Sequence, residues 1–314
     1  MKKIFGWIAV ATMIALPASA QQFVELEYHF KQGEVFELKQ ESRSETYMTV
    51  NEIVQRTTRD YNNTIEITVA DEKPGTTLLS FRYKELKFNF NAKNQNIFVD
   101  AKIANDKEPF QAGLKSILDQ PFTVEIQHTG IINKIEGLDQ LLERAATTAF
   151  ATLKKEEQDA YKKLMSDQFG TNAFRSWLEQ LLVIYPMHGI KMGTQWEESV
   201  PLRTGLVGRI DLYWNLQTSD SQTAKVGGTG KIMTDKVEQF TMEDGIVATA
   251  EISGDLQSNY LITRSSGLPG ICVQNTEMSG NYTYKANKAK KIKKDIKVPV
   301  KIISNASYKI KQMK

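Results

Sequence analysis

Apolar and polar residues alternate along much of the chain's first third. A period of two admits little but β-strands with one dry face and one wet face. Val24, Leu26, Tyr28 and Phe30 alternate with Glu25, Glu27 and His29, which points His29 at solvent. Ile65, Ile67 and Val69 repeat the period, Asp71-Glu72-Lys73-Pro74-Gly75 supplies a turn, and Leu79, Phe81 and Tyr83 return. Leu86, Phe88 and Phe90 carry the pattern to a connection at Asn91-Ala92-Lys93-Asn94. Around Phe110, Leu114, Ile117 and Leu118 the spacing becomes helical until Pro121, and Phe122, Val124 and Ile126 then enter a hairpin at Thr129-Gly130 that returns through Ile131 and Ile135.

The middle of the chain reads differently. Leu138, Leu141, Leu142, Ala145, Ala149 and Leu153 recur at three and four, predicting an amphipathic helix. A charged helix follows from about Lys155 to Met165, stopping near Phe169-Gly170. A third runs from Ala173, with Phe174, Trp177, Leu178, Leu181, Leu182 and Tyr185 on one stripe, to Pro186. These stripes are most simply a face packed on a sheet.

After the helices the chain starts again. Lys31-Gln32-Gly33-Glu34-Val35-Phe36-Glu37 is echoed by Lys191-Met192-Gly193-Thr194-Gln195-Trp196-Glu197. Ile210, Leu212, Trp214 and Leu216 answer the Ile65 run, Ala224, Val226 and Ile232 the returning strand, and Ser265-Ser266-Gly267 the Gly130 hairpin. Shared order predicts a duplicated β unit, with chance likeness between meanders as the alternative. Strand-like runs at Val298 to Ile303 and Ser307 to Ile310 should join the second sheet. The expected fold is therefore mainly β with a helical insert (α+β): two related curved antiparallel β units, 21–137 and 187–314, joined by about three short helices in 138–186.

The start of the chain bears on location. Lys2-Lys3, the mostly apolar run Ile4 to Leu16 and Pro17-Ala18-Ser19-Ala20 form a secretory signal peptide cleaved after Ala20, too short for a membrane span. The expected location is periplasmic or secreted. No cysteine sits at the cleavage point to be acylated. Cys272, alone in the chain and flanked by Ile271 and Val273, reads as a small buried hydrophobe.

The net charge of +3 hides a division: from Lys285 onward eleven lysines face one acid, Asp295, so the body between signal and tail carries −9. That basic strip suits an anionic surface. Alternatively, the lysines of Lys297-Val298-Pro299-Val300-Lys301-Ile302 guard an edge strand against aggregation. Nucleic acid is not an expected partner.

Reactive signatures are missing. His29, His128 and His188 share no metal spacing, and H-E-x-x-H, G-x-S-x-G and EF-hand loops are absent, so no metal or cofactor is expected. Gly227-Gly228-Thr229-Gly230-Lys231 fails as a phosphate loop, because Lys225 and Ile232 stand where glycine and a hydroxyl residue are needed; on a strand it predicts a bulge or bend. Glu197 and Glu198 are adjacent and face opposite sides of a strand, poor geometry for paired acid and base. The candidate binding residues are therefore apolar. Phe81, Tyr83, Phe88, Phe90, Trp196 and Trp214 either enclose a pocket for a lipid or other amphipathic envelope molecule, or fill a core.

The repeated K-x-G-x-x-[FW]-E openings, Gly137-Leu138-Asp139-x-Leu141-Leu142 and Ser266-Gly267-Leu268-Pro269 together resemble a family of secreted Bacteroidetes-type proteins defined as a domain of unknown function. The resemblance spans most of the chain from Phe23. It implies a cell-envelope protein and carries no activity over. The inferred architecture is also similar to the lipoprotein-carrier half-barrels of bacterial envelopes, which shield acyl chains. The expected function is non-enzymatic binding or carriage of a hydrophobic or amphipathic ligand. The alternatives are a scaffold acting through the basic strip and a hydrolase with a non-local active site.

Overall fold

The computed structural model describes residues 23–93, 95–103, 108–202, 206–242 and 245–314. The expected signal peptide and its expected cleavage site lie outside the described residues, as does Asn94 of the expected connection. Among the described residues thirteen strands form one antiparallel sheet, beginning with β1 (Val35–Val50), β2 (Ile53–Lys73), β3 (Thr76–Ala92), β4 (Gln95–Asp100), β5 (Phe122–Gln127) and β6 (Ile132–Glu136). Helix α1 (Pro109–Ser116) interrupts the first half, and α2 (Leu138–Ala149), α3 (Lys155–Phe169) and α4 (Thr171–Leu181) separate it from the second. The second half holds β7 (Gln195–Leu202), β8 (Gly208–Ser219), β9 (Thr223–Thr234), β10 (Gln239–Thr241), β11 (Val247–Thr263), β12 (Pro269–Tyr284) and β13 (Ile296–Gln312).

In place of the two separate β units expected, the strands make one continuous sheet. Strand order is β6-β5-β3-β2-β1-β13-β12-β11-β9-β8-β7, with β4 beside β3 and β10 beside β11. The last strand does pair with β12, as its position in sequence suggests, but it also pairs with β1 over thirteen residues. Hence β13 is central, and its lysines do not guard an edge: Lys301 faces Glu277 and Lys311 faces Glu37 on the wet side. Because β6 and β7 are the two edges, the chain must cross the sheet between them, and it does so through the helices that cover the inner face.

The K-x-G echoes adopt the same turn. Gly33 (φ +85°) and Gly193 (φ +81°) occupy the left-handed region open to glycine. Their amides donate to Val69 O (2.9 Å) and Leu216 O (2.8 Å), while Glu34 N and Thr194 N donate back to the carbonyls of Lys31 and Lys191. Immediately after Val69 and after Leu216 the register shifts by one residue.

Three local expectations change. Val24 to Phe30 is extended and keeps its alternating burial, with His29 exposed, yet it joins no sheet apart from an isolated Val24–Ile190 bridge. Its amides are taken instead by hairpin tips, Tyr28 N by His128 O (2.8 Å) and His29 N by Ser266 O (3.0 Å). Helix α4 stops at Leu181 rather than at Pro186, because Val183 and Tyr185 bond elsewhere: Val183 through both backbone groups to the Tyr28 hydroxyl, Tyr185 N to Thr129 O. The Gly227–Gly230 run makes no bulge; it lies flat in β9, where a Cβ on Gly228 would overlap Ser258 Oγ and crowd Trp214 Cδ1 at 3.2 Å. Gly228 makes room for Trp214.

Candidate functional site

Four of the six candidate aromatics share the inner face of β3. Simple alternation would turn Phe88 and Phe90 outward from the face holding Phe81 and Tyr83, but the register shift beside Lys84 resets it, so all four point under the helices. Phe81 meets Phe122 at 5.8 Å and Phe174 of α4 at 5.4 Å. Phe88 meets Tyr61 and Phe169 of α3, each at 5.2 Å, Phe110 of α1 at 6.1 Å, and Phe90 at 6.3 Å. Burial raises the Tyr83 hydroxyl well above the ordinary phenol range, so it is neutral at all physiological pH.

The two tryptophans form a separate pair. Trp196 and Trp214 stack at 6.1 Å on β7 and β8, and Trp196 Nε1 donates to Ile184 O at 2.7 Å. The six residues therefore do not converge on one pocket: Phe88 borders an open concavity at Asp60 and Asn89, and Phe81 an enclosed void. Phe81 alone borders a void of about 10 Å³ beneath α4, enclosed with Phe30, Leu38, Leu178, Leu181 and Ile310. Such a space holds at most about one water, and its walls offer that water no partner.

The cover is fastened unevenly. Gln180 O at the end of α4 accepts from Tyr260 Oη (2.8 Å) and Gln274 Nε2 (2.6 Å), pinning this helix to β11 and β12. Helix α3 buries only Leu164, Met165 and Phe169 of its fifteen residues and has no side-chain N-cap. Tyr61 Oη donates to Gln168 Oε1 at 2.6 Å, tying the helix end to β2.

Past α3 the same inner face carries a polar patch, bordered by the apolar Ile302, Val300 and Met278. Ser42, Ser44 and Thr46 of β1, Arg59 of β2, Thr276 of β12 and Ser304 of β13 are half-buried there. Ser304 Oγ and Ser44 Oγ lie 2.9 Å apart, and the Arg59 guanidinium sits 5.2 Å from the Phe90 ring. This change was not readable beforehand, because serines and threonines of separate strands meet only through register.

The basic strip divides between the wet face of β13 and the β12–β13 connection. Asp295 accepts from Ala286 N (3.0 Å) and Lys285 Nζ (3.1 Å), which lower its pKa, the backbone bond most. Lys288, Lys290, Lys291, Lys293 and Lys294 are exposed, with no acidic partner among the described residues. Cys272 is fully buried and burial pushes its thiol far up, which removes it as a nucleophile. Among the described residues no group of three or more His, Cys, Asp or Glu could hold a metal ion, and no helix is long and apolar enough to cross a membrane.

A family model described as a family of unknown function (DUF6263) matches residues 74–269. No curated protein matches significantly. Among solved structures, one titled for lipid–protein interactions in lipovitellin aligns over 90% of this chain at 12% identity and a TM-score of 0.50. The chain spans only 25% of that protein's length. Salmonella typhi OmpF in complex with daunomycin (8% identity, 92% of this chain and 100% of that one) and Pseudomonas aeruginosa OpdQ (6%, 91% and 100%) align at TM-scores of 0.21.

Proposed function

We propose that this chain, which belongs to the DUF6263 family of unknown function, is an exported cell-envelope protein that binds an amphipathic molecule along the inner face of its sheet. The observation that carries the reading is the gradient on that face, aromatic and dry beneath the helices, hydroxyl-bearing with Arg59 beyond them. An acyl chain suits the first part and an anionic headgroup the second. The fold likeness to lipovitellin, whose structure is titled for its lipid interactions, supports the same ligand class. With the helices seated the void is too small for an acyl chain, so uptake requires a helix to move, and α3 has the least to lose. The shared K-x-G turns and the register shifts after Val69 and Leu216 support reading the two halves as copies of one unit.

The test is titration with a fluorescent fatty acid, followed by hydrogen exchange. One molecule should bind per chain, with backbone amides of α3 exchanging faster and those of α4 unchanged. Absence of uptake, by the titration and by native mass spectrometry of protein from its own host, would sink the reading.

The β12–β13 connection favours a second reading, docking on an anionic surface. Each lysine near such a surface contributes about 1 kcal/mol, so changing Lys288, Lys290, Lys291, Lys293 and Lys294 to glutamine should abolish cosedimentation with phosphatidylglycerol vesicles at low salt. Unaltered cosedimentation would defeat it.

A further inference from the structure

The larger concavity lies on the opposite, wet face of the sheet. It has a volume of about 560 Å³ and crosses six strands from β4 to β12. Its axis is one cross-strand row, Phe98, Asn89, Asp60, Arg43, Asn305 and Asn275, each directly opposite the next. A parallel row adds Lys87, Asn62 and Glu41.

Three features define what fits. The charges cancel: Glu41 and Asp60 against Arg43 and Lys87, with Arg43 3.6 Å from Asp60 and Lys87 bonded to Asp100 at 2.9 Å. The side chains lining the concavity thus carry no net formal charge, and Arg43 is held also by Glu45 at 2.8 Å. Asparagine is depleted in strands, yet Asn62, Asn89, Asn275 and Asn305 stand mid-strand in four different strands. Among the described residues the side chains of Asn62, Asn275 and Asn305 have no hydrogen-bond partner, leaving amides that both donate and accept facing solvent. At the end of the row Phe98 is 71% exposed, an apolar plate beside polar groups.

The geometry points to a binding groove for a neutral, hydroxyl-rich chain, an oligosaccharide. Sugar hydroxyls donate and accept as the amides do, and the C–H face of a sugar ring suits the Phe98 plate. Five strand spacings of ~4.8 Å give a groove ~24 Å long, which favours a run of several units over a monosaccharide. This site is independent of the inner face and goes beyond the lipid reading.

The experiment is binding of the full chain to an array of neutral oligosaccharides, including cellohexaose, maltohexaose, laminarihexaose and mannohexaose, followed by calorimetry on the best. At least one should bind, with little change between 0.1 and ~0.5 M salt, as expected of an interaction without net charge. Phe98→Ala and the double variant Asn275→Ala/Asn305→Ala should each weaken binding about tenfold or more. Ser307→Trp, at the groove floor, should abolish it. All three changes are on the wet face, so circular dichroism and fatty-acid uptake should be unaltered, which separates failure of this site from failure of the inner-face reading. No binding to any member, binding untouched by the three variants, or binding lost with salt would each overturn the assignment.

Discussion

Phe88→Ala is expected to lower the free energy of unfolding by about 3–5 kcal/mol, as for a fully buried phenylalanine whose site cannot collapse. The ring is 1% exposed and sits where two helices and the sheet converge, against Phe110 of α1, Phe169 of α3, and Tyr61 and Phe90 of the sheet. Truncation leaves each of those rings facing a gap, and neither α1 nor α3 can close it without giving up its own contacts. Phe88→Leu keeps most of the volume and should cost under about 2 kcal/mol. The measurement is chemical denaturation without ligand. It discriminates two uses of the residue, because a ring bordering an open ligand space has fewer packed neighbours to lose. A loss below about 1 kcal/mol for the alanine variant would mean that the interior is not packed as described. Trp214→Ala, in the other half, should be comparably costly, and its effect should add to that of Phe88 because the two share no neighbour.

The contrast between Phe88 and Ser44 explains how much of this molecule could be read from its residues. Where the inner face is dry, alternation marks the strands: Ile65, Ile67 and Val69, or Leu256, Tyr260 and Ile262, are inward in the structure. The second half of β1 and the first half of β2 carry Ser42, Ser44, Thr46, Thr57 and Arg59 inward, so no hydrophobic period announces them. A turn signal does exist at Asn51-Glu52, both with positive φ, as a tight hairpin requires. The seat of β13 between β1 and β12 was illegible for another reason. An alternating strand states which face is dry but not which neighbours it takes, and here one neighbour is about 260 residues away. Both candidate sites share that difficulty. The four asparagines of the outer groove come from positions 62, 89, 275 and 305, and only register brings them into adjacent rows.

A side chain at position 267 is expected to cost more than the same change at any of the free turns. Gly267 has φ +73° and closes the β11–β12 turn against the segment running from Val24 to Phe30. A Cβ there would lie 2.7 Å from Glu27 C and 2.9 Å from Tyr28 Cα, and closer still to the Glu27 carbonyl oxygen. These are backbone atoms, so no rotamer relieves the clash and the segment must lift. Lifting it undoes a joint between the two halves. His29 N leaves Ser266 O, and the Tyr28 hydroxyl leaves both backbone groups of Val183. Each buried group left unpaired costs about 1–3 kcal/mol. Gly33→Ala provides the control, because Gly33 has φ +85° and nothing within 4 Å of its missing Cβ, so it carries only the left-handed backbone penalty of about 1–2 kcal/mol. Gly267→Ala should exceed that by at least about 2 kcal/mol, with new proteolytic cleavage between residues 24 and 30 under native conditions. Equal costs at the two positions, with the segment still protected, would show that the N-terminal segment is not seated between the hairpin tips and that the halves are held by the β1–β13 ladder alone.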